Sequence, residues 1–339
     1  MRFILICLSL LWGITLAAQE RNGTRVAFYN LENLFHPDDD SLKRDEEFTP
    51  DGTRYWSYYR YREKLNRMAK ALLAIGDWEP PEIVGLAEVE NRQVLEDLVA
   101  SPVLRKFNYR VIHYESPDRR GIDVGAIYRA DLFTVIQSRN IPVQMPDDPG
   151  FATRDLLYLK GLLRSGDTLH LIYCHWPSRY GGQQQSEPKR IQAALTVKKL
   201  TDSLFSKNPN QYIVVAGDFN DEWNNESLLK HLEARPFEGT PPSDGLYNLM
   251  ATMNPNQGSH RYRGQWAYLD QVIVSGALLN GSHLHIEDSK AHLTEKGFLL
   301  ETDEKYPGQK PFRTFIGMRY HGGFSDHLPV YVDLITLDN

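Results

Sequence analysis

The stretch QYIVVAGDFND, residues 211–221, decides how the rest of the chain is read. Its first half is an apolar run bounded by turn formers, which reads as a buried strand. Its second half, GDFND, is a good turn sequence, because Gly, Asp and Asn all favour turns. Asp218 and Asn220 stand two residues apart, so a strand continued through them would project both to one side. Taken alone, the segment is a strand and a turn.

Similar runs recur along the chain: 24–30, 82–88, 109–114, 123–129, 132–137, 155–163, 168–175, 268–275 and 328–334. Their polar residues are not scattered. VAFYN ends in Asn30, followed by Glu32; IVGLAE ends in Glu88; LIYCH ends in His175; IVVAGDFN ends in Asp218 and Asn220. Two further runs invert the order, with Asp270 at the beginning of DQVIVS and Asp326–His327 before LPVYV. Strands running opposite to their neighbours would bring those starts to the edge where the other four end. In a regular strand Asp326 and His327 would face opposite ways, but the Gly322–Gly323 turn before them relaxes that rule. Pro329 fits only a strand start or an edge.

Two segments carry helical spacing. Tyr61, Leu65, Met68, Leu72 and Ile75 mark 57–75, with Gly76 as a stop, and Ile191, Ala194, Leu195, Val197 and Leu204 mark 187–205. Many strands with a few helices between them suggest two packed sheets with helices outside. Segments 231–265 and 289–323 lack periodicity and read as long surface loops, which are more often functional than idle. No repeat or linker divides the chain.

The N-terminus, MRFILICLSLLWGITLAAQE, has one Arg, an apolar run and then small residues. That is the layout of a secretory signal peptide cleaved after Ala18, and its apolar run is short of the ~20 residues a membrane span needs. The expectation is therefore a signal over 1–18 and one exported domain over 19–339, periplasmic or extracellular, without stable membrane insertion. The formal net charge is −6, and −7 once Arg2 leaves with the signal, which disfavours a long basic track for nucleic acid. Of two cysteines only Cys174 would remain, so no intramolecular disulfide and no cysteine-based zinc site is expected. Cys174 reads as a core residue rather than a nucleophile. No phosphate-cradling Gly-rich loop opens a helix, so nucleoside-triphosphate chemistry is disfavoured, and so is zinc hydrolysis, for want of a tight helical His pair.

FYNLENLF, GLAEVEN, YCHWPS, VVAGDFND, YLDQVIVS and SDHLPV stand in the order of the blocks of the deoxyribonuclease-I-like endonuclease/exonuclease/phosphatase superfamily. The chain resembles that superfamily over about residues 24–336, most specifically in GDFN and SDH. The resemblance implies an α/β (α+β) fold, a four-layer sandwich of two mixed β-sheets flanked by helices. It also implies a metal-dependent phosphoesterase. A phosphoester resists attack because its anionic oxygens repel hydroxide, and hard oxygen ligands suit Mg²⁺ or Mn²⁺, with Ca²⁺ also compatible.

Carried over residue by residue, the resemblance makes Glu88 the first metal ligand, with Glu32 and Asp326 near it and Asn30 positioning a water of the ion or a phosphate oxygen. Asp218 orients or deprotonates the attacking water, Asn220 binds a phosphate oxygen, and His327, held by Asp270, contacts the scissile phosphate. His175 matches the second histidine of the nuclease branch and assists the leaving oxygen. Its carboxylate partner is expected to be Asp123, with Glu115 as the runner-up. Trp176, Arg179, Tyr180, Arg154 and Arg190 are candidate substrate contacts, and Arg119, Arg120, Arg261, Tyr262, Arg263 and Trp266 add cationic and aromatic groups. Two histidines favour phosphodiester cleavage, with DNA or RNA of low sequence specificity as the first substrate. The alternatives are a phosphomonoesterase or phospholipase C-like enzyme on sugar, inositol or lipid phosphates, and a non-catalytic binding module on the same fold. No protein partner is legible.

Overall fold

The computed structural model describes residues 23–337 apart from Trp78 and Ser282. The expected export signal, residues 1–18, lies outside the described residues. In chain order the strands are β1 (Thr24–Leu34), β2 (Ile83–Val89), β3 (Tyr109–His113), β4 (Asp123–Arg129), β5 (Phe133–Ile141), β6 (Leu156–Leu163), β7 (Thr168–His175), β8 (Tyr212–Asp218) and β9 (Leu246–Asn248). A hairpin of β10 (His260–Tyr262) and β11 (Gln265–Ala267) leads into β12 (Asp270–Ser275), then β13 (Leu284–Ile286) and β14 (His292–Leu293). Two small ribbons follow, β15 (Leu300–Thr302) with β16 (Gln309–Pro311) and β17 (Phe315–Ile316) with β18 (Arg319–Tyr320). The last strand is β19 (Val330–Thr336), which begins directly after Pro329. The longer helices are α1 (Tyr58–Ile75), α2 (Arg92–Val99) and α3 (Gln183–Phe205).

The strands form two large mixed sheets. The first runs β13-β19-β1-β2-β4-β3 with β14 also on β19, and the second runs β5-β6-β7-β8-β12-β9. β1 is parallel to β2 and β7 is parallel to β8, whereas β19 runs against β1 and β12 against β8. The ends of β1, β2, β7 and β8 therefore share an edge with the start of β12 and the turn before β19. The order inverted in the sequence is the order the topology requires.

Three apolar layers separate four layers of structure. Between the sheets lie Val26, Phe28, Ala87, Val124, Leu171, Tyr173, Val214, Val272 and Val332. Leu65, Met68, Leu72, Leu95 and Leu98 pack α1 and α2 outside the first sheet, and Ala194, Val197, Leu200 and Leu204 pack α3 outside the second. Each fully buried side chain of this size contributes about 1.5–3 kcal/mol, which suits a chain whose one described cysteine, Cys174, is free and buried. Gly85 marks how closely the sheets approach: a Cβ there would lie 2.0 Å from the ring of Tyr173 on the opposite sheet.

The structure departs from the sequence reading in three places. α3 begins at Gln183, one turn before 187, because Pro188 near a helix start forfeits only the bond to the Gln184 carbonyl, which sits on an exposed residue. α2, absent from the sequence reading, is short but signed: Asn91 caps it by accepting from Val94 N at 3.1 Å, and Val94, Leu95 and Leu98 are buried. The segments read as surface loops hold β9, the β10–β11 hairpin and the small ribbons, pieces of two or three residues that are too short to show a period.

Candidate active site

The shared edge is built on irregular backbone. The register between β1 and β2 slips after Asn30, and that between β2 and β4 slips after Ala87. Such bulges re-aim a side chain at a strand end. Glu32, Asn33, Glu88 and Asn220 all have positive φ, at 50°, 56°, 58° and 50°. Side chains with a Cβ rarely adopt that conformation, and it collects at functional sites.

Those bends turn polar groups toward one another. Asn30 Nδ2 lies 3.3 Å from Glu88 Oε1 and 3.1 Å from Asp218 Oδ2, linking the two sheets. Glu88 Oε2 accepts from Asn33 N at 2.9 Å, and Asp218 Oδ1 accepts from Asn220 N at 2.9 Å. His175 Nε2 lies 3.6 Å from Asp218 Oδ2 and 3.8 Å from Glu88 Oε1. His327 Nε2 approaches the same Asp218 oxygen at 3.7 Å, while its Nδ1 meets Asp270 Oδ2 at 2.7 Å. Asp218 thus sits between two imidazoles. Residues from six strand ends, spread over three hundred positions, occupy one patch.

Electrostatics set the two histidines apart. Burial drives His175 well below the usual imidazole value, and Arg154, Arg120 and His327 push the same way, so it is neutral. Burial also opposes charge on His327, but the Asp270 and Asp218 carboxylates outweigh it and raise that ring well above its ordinary value. Asp218 is lifted to about 7, mainly by burial. One ring offers a neutral hydrogen-bonding group and the other a cation.

Several expected residues stand elsewhere. Asp123 is not the partner of His175: its Oδ2 lies 3.1 Å from His113 Nε2, because β4 starts beside the end of β3, and His175 Nδ1 has no hydrogen-bond partner. Glu115 is no substitute, since it reaches toward His113 and Lys43. Glu32 and Asp326 are engaged by cationic and backbone donors. Glu32 accepts from Thr314 N at 2.6 Å and Phe315 N at 3.2 Å, and Arg313 bridges it to Asp326 at 3.3 and 2.9 Å. Lys64, fully buried, donates to Thr314 Oγ1 and the Phe324 carbonyl behind this network. These contacts leave Glu88 as the carboxylate of that trio without a cationic side chain hydrogen-bonded to it.

The expected substrate contacts divide. Trp176 is 1% exposed, its ring 4.4 Å from Phe219 beneath α3, so it offers no stacking face. Arg154 is buried and donates to the Trp176 carbonyl at 2.6 Å and Asp118 at 3.2 Å. Arg190 is 0% exposed and pairs with the equally buried Asp221 at 2.7 Å. Arg179 braces the loop of Asn220, donating to its carbonyl at 2.6 Å. Tyr180 alone among the five is open, at 94% exposure. Four of the five expected contacts, Trp176, Arg154, Arg190 and Arg179, point instead into packing or bracing roles. The Arg190–Asp221 pair yields a test. Asp221→Asn should cost about 3–5 kcal/mol in urea unfolding by leaving a buried guanidinium uncompensated. A loss under about 1 kcal/mol would mean the pair is solvated.

Two residues of the patch escaped the sequence reading. His260 of β10 bridges backbone to His327, and its ring lies 4.9 Å from that ring, with burial lowering its pKa to about 4. Arg313, half-exposed, comes from a segment without periodicity. The only signal for either is a charged or imidazole side chain in a loop that proves to border the edge.

A divalent ion fits this patch. Glu88 supplies a hard carboxylate oxygen, and Mg²⁺ needs only one or two carboxylates while keeping its waters. Asp218, Asp270 and His327 also place three potential ligand atoms within 4.8 Å of one another, though all three are already engaged in the hydrogen bonds above.

Comparison with known proteins agrees with the fold. The profile of the Endonuclease/Exonuclease/phosphatase family matches residues 25–336. A mannosyl-6-phosphatase from Bacteroides thetaiotaomicron is similar in structure, with a TM-score of 0.56, 17% identity, and coverage of 92% of this chain and 99% of that one. The D. rerio TDP2 complexed with single strand DNA product gives 0.55 at 15% identity, covering 93% and 100%. The human Nocturnin catalytic domain with bound sulfate gives 0.55 at 17%, covering 94% and 96%. No curated protein matches this sequence. At such identities the structural neighbours speak for the fold alone; it is the profile, running through all six strand-end motifs, by which the chain belongs to the endonuclease/exonuclease/phosphatase family.

Proposed function

We propose that this protein is an exported, metal-dependent phosphoesterase that cleaves phosphodiester bonds, with nucleic acid of low sequence specificity as its first candidate substrate. The observation that carries this reading is the pair of unlike histidines flanking Asp218. Cationic His327, held by Asp270, anchors the scissile phosphate. Asp218 orients the attacking water and takes its proton. Neutral His175, on the other side of Asp218, hydrogen-bonds the leaving oxygen. Asn220 spends one amide hydrogen on the Trp176 carbonyl at 3.1 Å and keeps the other for a phosphate oxygen. Asn30 fixes Glu88 and Asp218 relative to each other. Glu88 would hold Mg²⁺ or Mn²⁺, which supplies neutralisation of phosphoryl charge.

A second reading, a phosphomonoesterase on a small sugar or inositol phosphate, is favoured by the burial of Trp176, Arg154 and Arg190. Without them the edge has less to grip a polymer. A panel of plasmid DNA, RNA, a phosphodiester reporter, inositol phosphates and sphingomyelin, each with Mg²⁺, Mn²⁺ or chelator, separates the readings. Nicking of DNA without phosphate release supports the first, and phosphate release from monoesters alone supports the second. Inertness toward every member, with no metal binding, returns the chain to a binding module.

The Asp270–His327 contact predicts a pH effect. His327 works as a cation, so activity persists up to its raised pKa and falls above it. Asp270→Asn removes the partner that raises that pKa, and the basic limb of the kcat/KM profile should move down by about 1–3 pH units. An unmoved limb would show that the limb does not report His327.

A further inference from the structure

Asp123, released from the role expected of it, belongs to a second cluster. At the start of β4 it is 0% exposed, and its Oδ2 has no hydrogen-bond partner. His113, at the end of the neighbouring β3, is buried too, at 7% exposure, and its Nε2 has no hydrogen-bond partner. The two atoms lie 3.1 Å apart without a hydrogen bond between them. Glu115 brings a third potential ligand: one ligand atom from each of the three residues falls within 4.8 Å of the others, and the Glu115 carboxylate approaches the imidazole of His113 at Nδ1, 3.9 Å away. Two ligands about 2.0–2.2 Å from a tetrahedral ion are spaced about 3.3–3.6 Å apart, slightly more than the separation seen, so a small outward shift of either side chain admits the ion.

The surroundings favour a cation. Ser116 N donates to Asp123 Oδ1 at 2.9 Å, fixing that carboxylate with its second oxygen directed at His113. Asp40 adds negative charge near Glu115, and Asp45 Oδ1 is itself buried without a partner. Lys43 Nζ, 3.7 Å from Glu115 Oε2, is the nearby cationic side chain and is anchored instead on the Ser116 carbonyl at 2.9 Å.

We propose that His113, Asp123 and Glu115 form a binding site for a borderline divalent ion of the Zn²⁺ class, separate from the catalytic ion. An imidazole with two carboxylates suits Zn²⁺ better than Mg²⁺, whereas the Glu88 patch offers hard oxygen. The ion ties β3 and β4 to the loop between them, which carries Arg119 and Arg120. It therefore braces one flank of the active edge, next to Val89, which pairs with Asp123 in the β2–β4 register. Chemistry at the phosphate does not involve it.

The test uses the full chain with Mg²⁺ in excess, titrated with Zn²⁺ while thermal unfolding is followed and with Co²⁺ while visible absorption is followed. Wild type should take up one Co²⁺ with intense tetrahedral bands and gain Tm with Zn²⁺. Glu88→Gln should keep both signals, which separates this site from the catalytic one. His113→Gln should lose the bands. Glu115→Gln, at an exposed carboxylate that folding does not need, should weaken Co²⁺ by more than the roughly 10–100-fold that loss of an outer partner costs. Absence of tetrahedral bands in wild type, or unchanged affinity in Glu115→Gln, overturns the proposal. So do unchanged bands in His113→Gln, or their loss in Glu88→Gln.

Discussion

Glu88→Gln is expected to lower kcat/KM by about 10³-fold or more while leaving the fold unchanged. The replacement keeps the shape of the side chain and an oxygen that can still accept from Asn33 N at the bend after Ala87, giving up only the longer 3.3 Å bond from Asn30 Nδ2. What disappears above all is one negative charge, on the one carboxylate among Glu32, Glu88 and Asp326 that Arg313 does not hydrogen-bond. A divalent ion contributes several kcal/mol to stabilising charge on a transferring phosphoryl group, and about 4 kcal/mol corresponds to three powers of ten. Initial rates on a phosphodiester reporter across a Mg²⁺ series, with circular dichroism beside them, decide the matter. Wild-type rates at wild-type Mg²⁺ concentrations would remove Glu88 from the ion site.

Asp218→Asn should be nearly as damaging, about 10²–10⁴-fold, the range for a positioned general base. It should also reveal a conflict between activity and stability. Burial lifts the Asp218 carboxyl to about 7, above the ~3.9 it has in an unfolded chain. Between those values the folded state binds the extra proton, so stability falls as pH rises from about 4 to about 7, and the full cost is present above 7. Asparagine carries no such cost. Without metal at pH 8 the variant should therefore melt higher than wild type, by a few degrees, and the advantage should vanish near pH 4. A variant that melts lower at pH 8 would show that the ionised carboxylate is welcomed by its neighbours, and with it the strained-base account would fall.

Much of the fold could be read directly because strands carry their own signature. The apolar runs ending in Asn30, Glu88, His175 and Asp218, and those beginning near Asp270 and His327, were visible as runs, and opposite strand direction was enough to gather them at one edge. Long-range partners were not visible. Nothing in IDVGAIYR says that Asp123 faces His113 rather than His175, because that choice depends on which strand lies beside which. Burial of Trp176, Arg154 and Arg190 was equally hidden, since a long polar or aromatic side chain near a motif can turn inward as readily as outward. His260 and Arg313 come from segments whose pieces are too short to leave a period. The family profile and the fold agree.

The left-handed backbone at residue 88 has an implication for how such a chain could age. Glycine would sit there without steric protest, relieving a cost of order 1 kcal/mol, at the expense of the carboxylate. A lineage that had abandoned hydrolysis would gain from that exchange, and from similar ones at 32 and 220. Glu, Glu and Asn stand at 32, 88 and 220 where the main chain would rest more easily with glycine, so each of these side chains is carried at a backbone cost.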